Sequence, residues 1–213
     1  MKRSLTAGFL LTLVLCLASS AQEPAVQKVE KTPVSYGLVI DNSGSLRTML
    51  DKVISVVTEI VDGNGADDEA FLVTFVDTPK IVLRQEFTDS KPELHDAVQN
   101  MFVEGGQTAI LDAVKISAEY LAKSARTDAG RARALVIVTD GEDRESGSKI
   151  EDVIKLLKEQ NIRVFVVAMS DGKIVTKLID RLTKETGGTK FSPKTRTDLT
   201  AAAAQLSAAI RTR

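Results

Sequence analysis

Val34-Ser35-Tyr36-Gly37-Leu38-Val39-Ile40-Asp41-Asn42-Ser43-Gly44-Ser45 runs from a nearly unbroken apolar stretch into an acid, two serines and a glycine. An apolar run of this length closed by turn residues reads as a strand buried on both faces, and such strands belong to parallel sheets covered by helices. The flanking sequence agrees. Residues 47–61 carry Leu50, Val53, Ile54, Val57 and Val61 at spacings of three and four, the pattern of an amphipathic helix. Residues 70–76 and 81–87 are apolar strands joined by Asp77-Thr78-Pro79-Lys80, a connection short enough only for antiparallel pairing.

Beyond them, residues 91–101 and 110–121 read as helices, and residues 134–138 as a buried strand ending in Thr139-Asp140-Gly141. Ser148 and Glu151 have capping-box spacing ahead of a helical face formed by Ile150, Val153, Ile154 and Leu157. A Val-rich strand follows at 162–169. A helix through Ile174, Leu178 and Leu182 then stops before Gly187-Gly188, a short strand forms at 190–192, and Leu199, Ala203, Leu206 and Ile210 mark a terminal helix. This alternation predicts a doubly wound α/β fold: a mainly parallel sheet, one antiparallel edge strand, and helices on both faces. In such folds ligands bind beyond the carboxyl ends of the strands, where the winding reverses.

The ends of the chain read differently. Met1-Lys2-Arg3 is a basic head, residues 8–18 are apolar, and Ser19-Ser20-Ala21 offers the small residues a signal peptidase cleaves after. Residues 1–21 are therefore a signal peptide, too short in their apolar part to span a bilayer, which takes about 20 residues. Cleavage makes the protein exported, periplasmic or secreted, with no stable membrane span. Cys16, the only cysteine, follows Leu15 where a lipoprotein signal wants a small residue, so it counts as part of the apolar run; it leaves with the signal, and the mature domain rests on its core alone. Residues 22–33 are polar and Pro-bounded, a linker, and residues 34–213 form the domain. Across 213 residues, 28 Lys+Arg balance 29 Asp+Glu, and with 4 % aromatics and no Trp the chain is no nucleic-acid binder.

Asp41, Ser43, Ser45, Thr108 and Asp140 carry the chemistry. Asp41-Asn42-Ser43-Gly44-Ser45, Gly105-Gly106-Gln107-Thr108 and Thr139-Asp140-Gly141 bring two carboxylates and three hydroxyls to one sheet edge. Hard oxygen donors without His or Cys suit Mg²⁺, Ca²⁺ or Mn²⁺. The three motifs, in this order at these strand ends, resemble a von Willebrand factor type A domain with a metal-ion-dependent adhesion site, similar to exported bacterial members, over residues 34–211. The resemblance implies Ser43, Ser45 and Thr108 as direct ligands of a divalent cation, most often Mg²⁺, with Asp41 and Asp140 bound directly or through water. It also implies a coordination position left for an Asp or Glu of a protein partner, and a binding module without catalytic activity.

Two other functions share parts of the pattern. One is a Mg-dependent hydrolase or phosphotransferase using Ser43 or Ser45 as nucleophile and Asp41 as acid or base. The three loops contain no His, and the chain has no Gly-rich Lys-Ser/Thr phosphate loop, which weighs against it. The other is a structural scaffold with an unoccupied metal site. Elsewhere, His95 reads as a solvated residue on a polar helix face, Asp67-Asp68 as a solvated turn, and Glu142, Asp143, Arg144 and Glu145, beside the site, as residues that tune partner choice or else simply form a charged loop. With only Arg211-Thr212-Arg213 after the last helix, no mechanical pull through that helix is expected.

Overall fold

The computed structural model describes residues 32–172 and 174–212, so residues 1–21, read above as a signal peptide, and all but the last two of residues 22–33, read as a linker, lie outside the described residues. Six strands form one sheet in the order β3-β2-β1-β4-β5-β6. They are β1 (Val34–Asp41), β2 (Glu69–Phe75), β3 (Ile81–Thr88), β4 (Ala132–Thr139), β5 (Ile162–Ala168) and β6 (Lys190–Phe191). All neighbours pair in parallel except β2 and β3, which are antiparallel. The winding reverses between β1 and β4, the two central strands.

Six α-helices cover the sheet: α1 (Leu50–Asp62), α2 (Lys91–Gln99), α3 (Ile110–Ser124), α4 (Ile150–Glu159), α5 (Thr176–Thr186) and α6 (Arg196–Ala209). The strand period of two divides the core into halves. Tyr36, Leu38 and Ile40 of β1 face α1, α2 and α6, joining Val53, Val57, Ile60, Leu94, Leu199 and Leu206. Leu135 and Ile137 of β4 and Val164 and Val166 of β5 face the other way, onto Val114, Leu121, Val153 and Leu182 of α3, α4 and α5.

The first helix differs from the sequence expectation. Residues 44–49 form a 3₁₀ segment before α1 begins at Leu50. Three residues per turn bring Leu46 and Met49 onto one side, and both are buried there.

The opposite end of the sheet is closed by a buried ion pair. Asp68, 2 % exposed, accepts hydrogen bonds from the Val34 N–H at 3.0 Å and the Gly65 N–H at 2.6 Å, and pairs with Arg211. Arg211 also donates to the carbonyl oxygens of Gly63 and Ser207. Asp68 is thus no solvated turn residue: it is almost wholly shielded from solvent, and its charge is balanced by Arg211, two residues beyond α6. His95 is half-buried, with its Nε2 3.0 Å from Asp62 Oδ1, rather than freely solvated.

Candidate metal centre

All five residues lie at one edge of the sheet: Asp41, Ser43 and Ser45 at and just after the carboxyl end of β1, Asp140 just after β4, and Thr108 in the loop that enters α3. Asp41 is the last residue of β1 and is 3 % exposed. Its Oδ1 accepts the Ser43 N–H at 2.9 Å and its Oδ2 accepts the Thr139 hydroxyl at 2.7 Å, which fixes the carboxylate in one orientation. Ser43 is buried and Ser45 exposed, and their hydroxyl oxygens stand 2.9 Å apart. Although Ser43 sits at the N-cap of the 3₁₀ segment, its side chain makes no capping bond. Its oxygen is therefore not spent on the helix end, as an ordinary cap would be.

The second loop docks onto the first. The N–H groups of Glu104 and Gly105 both donate to the Asn42 carbonyl, at 3.2 and 3.4 Å. Gly106 has a φ of +121°, and a side chain there would meet Val76, so only glycine lets the loop pass. Thr108 is 4 % exposed and donates its hydroxyl proton to the Glu142 carbonyl, leaving its oxygen lone pairs for an acceptor role. Asp140, 6 % exposed, begins the third loop and accepts the Glu142 N–H at 3.1 Å. After it the chain turns through Gly141 at φ +87°, where a methyl group would lie 2.1 Å from the Val175 carbonyl oxygen.

Electrostatics distinguish this cluster from a set of turns. Burial pushes the Asp41 carboxyl up to about 6, against hydrogen bonds from Ser43 and Thr139, and the neighbouring Asp140 adds to the rise. Among the described residues, no Lys or Arg pairs with either acid. Two buried carboxylates without a counter-charge are costly, and a cation between them would remove that cost. No three His, Cys, Asp or Glu side chains cluster among the described residues in a way that would hold a metal by themselves. A cation here would depend on the three hydroxyls as much as on the acids, a donor set that fits a hard divalent ion.

The family model of the von Willebrand factor type A domain matches residues 37–205, which takes in all five positions. The chain belongs to the von Willebrand factor type A family. Domains of this family mediate protein–protein interaction and commonly bind a divalent metal. This type A domain is similar in fold to an aerotolerance-related membrane protein of Bacteroides fragilis, with 19 % identity, a TM-score of 0.67, and coverage of 83 % of this chain and 98 % of that one. BatB of Bacteroides thetaiotaomicron gives 16 % identity, a TM-score of 0.69 and the same coverages. A von Willebrand factor type A protein of Catenulispora acidiphila gives 14 % and 0.71, covering 84 % of this chain and 43 % of that one. At these identities the likeness is one of fold. Comparison with curated protein sequences finds no significant match.

Around the type A site the structure adds residues that the sequence did not single out. The N-terminus of α3 is capped from the third loop, not by Thr108: the Ile110 N–H donates to Asp143 Oδ1 at 2.9 Å, and the Leu111 N–H to the Ser146 hydroxyl at 3.0 Å. Ser148 caps nothing, because α4 starts after Lys149 without a side-chain cap; its N–H instead donates to Asp112 Oδ1 at 2.8 Å. Asp112 also accepts from the Gly147 N–H at 2.9 Å and from the Thr78 hydroxyl. Burial alone would raise the Asp112 carboxyl, but the bonds from Ser148, Thr78 and Gly147 outweigh it and hold the carboxyl down at about 2.

A carboxyl lowered on folding stabilises the fold above its unfolded value of about 3.9, and that contribution fades as pH falls toward 2. Asp112→Asn is therefore expected to cost about 1–2 kcal/mol at pH 7. Urea unfolding at both pH values checks this: the gap to wild type should shrink markedly by pH 3, and an undiminished gap there would refute it.

Proposed function

We propose that this domain is an exported docking module whose five oxygen donors hold a divalent cation, Mg²⁺ in preference to Ca²⁺ or Mn²⁺, and through it an Asp or Glu of a protein partner. The observation that carries this reading is the convergence of Asp41, Ser43, Ser45, Thr108 and Asp140 at the winding reversal, with two buried acids lacking a basic partner among the described residues. Ser43, Ser45 and Thr108 are assigned as direct ligands. Thr139 positions Asp41, and the Ser43 and Glu142 N–H groups orient Asp41 and Asp140. A shell rich in neutral hydroxyls leaves the cation electron-poor, so an incoming carboxylate is attracted strongly. Binding without turnover is the activity proposed.

Because a ligand that binds only the folded state stabilises it, Mg²⁺ should raise the unfolding temperature, and a Glu-containing peptide should raise it further only in Mg²⁺. EDTA, Ser43→Ala and Thr108→Val should each abolish both shifts. A melting temperature indifferent to about 10 mM Mg²⁺, Mn²⁺ and Ca²⁺, with or without the peptide, would sink the docking reading. Export rests on residues 1–21, and the exported protein is expected to begin at Gln22 on N-terminal sequencing.

A further inference from the structure

The charges around the three loops are unevenly satisfied. Arg84 pairs with Glu104 at 2.6 Å and stacks over Phe102, with its guanidinium carbon 5.2 Å from the ring centroid. Arg144 pairs with Glu142 at 2.7 Å, and Lys80 with Asp77 at 3.6 Å. Arg47 is different. It lies in the 3₁₀ segment two residues after Ser45, is exposed, and makes no ion pair or hydrogen bond among the described residues. Its position is nonetheless defined: a methyl group on Gly105 would lie 3.9 Å from Arg47 Nη2, and Gly105 is itself held against the first loop through the Asn42 carbonyl. The guanidinium therefore stands where the first two loops meet, beside the candidate cation site.

We propose that Arg47 is a second anchor for the partner: one carboxylate of an acidic segment reaches the cation, and a second carboxylate a residue or two away forms an ion pair with Arg47. This rests on the docking reading and specifies its ligand as a di-acidic peptide. A planar, permanently charged guanidinium left free suits a carboxylate, which it can grip with two N–H groups. The opposite side of the site disfavours the same ligand. Glu145, on the third loop, is exposed and has no basic partner among the described residues, and its N–H is tied to the Thr108 carbonyl at 3.1 Å. An anionic segment is thus repelled from the third loop and drawn toward the first and second, which gives the bound peptide a direction. Asp171, on the β5–α5 loop, accepts the Thr48 hydroxyl and forms no ion pair with Arg47.

The test uses labelled peptides carrying one Asp, or two Asp separated by zero, one or two alanines, with fluorescence anisotropy in Mg²⁺ at low salt. Mg²⁺ binding is measured separately, by competition against the Mn²⁺ paramagnetic signal. The best di-acidic peptide should bind about fivefold tighter than the mono-acidic one, the gain expected from one exposed ion pair. Arg47→Gln should erase that gain while leaving mono-acidic and cation affinities unchanged, and added salt should shrink it in wild type only. Equal binding of both peptide types to wild type overturns the second anchor, as does a preference that survives Arg47→Gln. Cation binding with no peptide binding at all overturns the docking reading itself, and the second anchor with it.

Discussion

Asp41→Asn is expected to yield a protein that is more stable than wild type in EDTA and no longer responsive to Mg²⁺. The reason lies in the two buried acids. Asp41 is nearly inaccessible, has no basic partner, and stands beside Asp140, so its charge destabilises the fold when no cation is present. With the folded carboxyl near 6 and the unfolded one near 4, the folded state holds on to the proton more tightly. The penalty is absent below about pH 4, grows between 4 and 6, and stands in full above 6. Its size is on the order of 2 kcal/mol, or about 5 °C in melting temperature for a domain of this length. The amide keeps an oxygen for the Ser43 N–H, but its NH2 replaces the oxygen that accepts the Thr139 hydroxyl, which takes back about 1 kcal/mol of the gain from losing the charge. Melting curves at pH 7.5 and pH 4.5 provide the check: the variant's advantage in EDTA should be clear at the higher pH and much smaller at the lower. If the variant melts below wild type in EDTA, or still shifts with Mg²⁺, the account of Asp41 fails. Function and stability would here be opposed at a single oxygen.

The second large effect is expected at the other end of the sheet. Arg211→Met should destabilise the domain by about 3 kcal/mol or more, because it strands the Asp68 carboxylate in a site from which water is excluded. The loss should be smaller when Asp68→Asn is added, since the amide carries no charge while its oxygen still accepts the Val34 N–H. Urea unfolding of the two single variants and the double variant gives the coupling directly. A loss below about 1 kcal/mol for Arg211→Met would show that the pair is no more than a surface contact. Cation binding should be unaffected in both variants, since Asp68 and the five donors sit at opposite ends of β1.

What could be read from the sequence, and what could not, follows from the range of the interactions involved. The strand at 34–40 announces itself because burial on both faces forces an unbroken apolar run. That Asp41, Ser43, Ser45, Thr108 and Asp140 lie at one sheet edge was legible because the first three follow one strand within five residues, and the other two motifs sit directly after a strand or before a helix. Asp68 and Arg211 carry no such local sign. They are 143 residues apart, and nothing around either marks a buried pair. The same holds for Asp112, whose partners Gly147 and Ser148 lie 35 and 36 residues away. Ser148 and Glu151 had the spacing of a capping box, but a long-range acid took the Ser148 N–H and the local pattern gave way. The 3₁₀ segment was hidden for a related reason: a period of three and a period of 3.6 look alike over six residues.

The carboxylate shared by the Val34 N–H and Arg211 has one more consequence. The first residue of the sheet and the second residue past α6 meet within a few ångströms, while the five candidate site residues stand about 23 Å away along β1. A unit whose two ends touch at one point can be spliced into a loop of a host protein, or grafted by either end onto a bead or sensor chip, without covering the face that carries Asp41, Ser43, Ser45, Thr108 and Asp140. Wherever the domain is planted, that face points outward, like a socket on the far side of its mount.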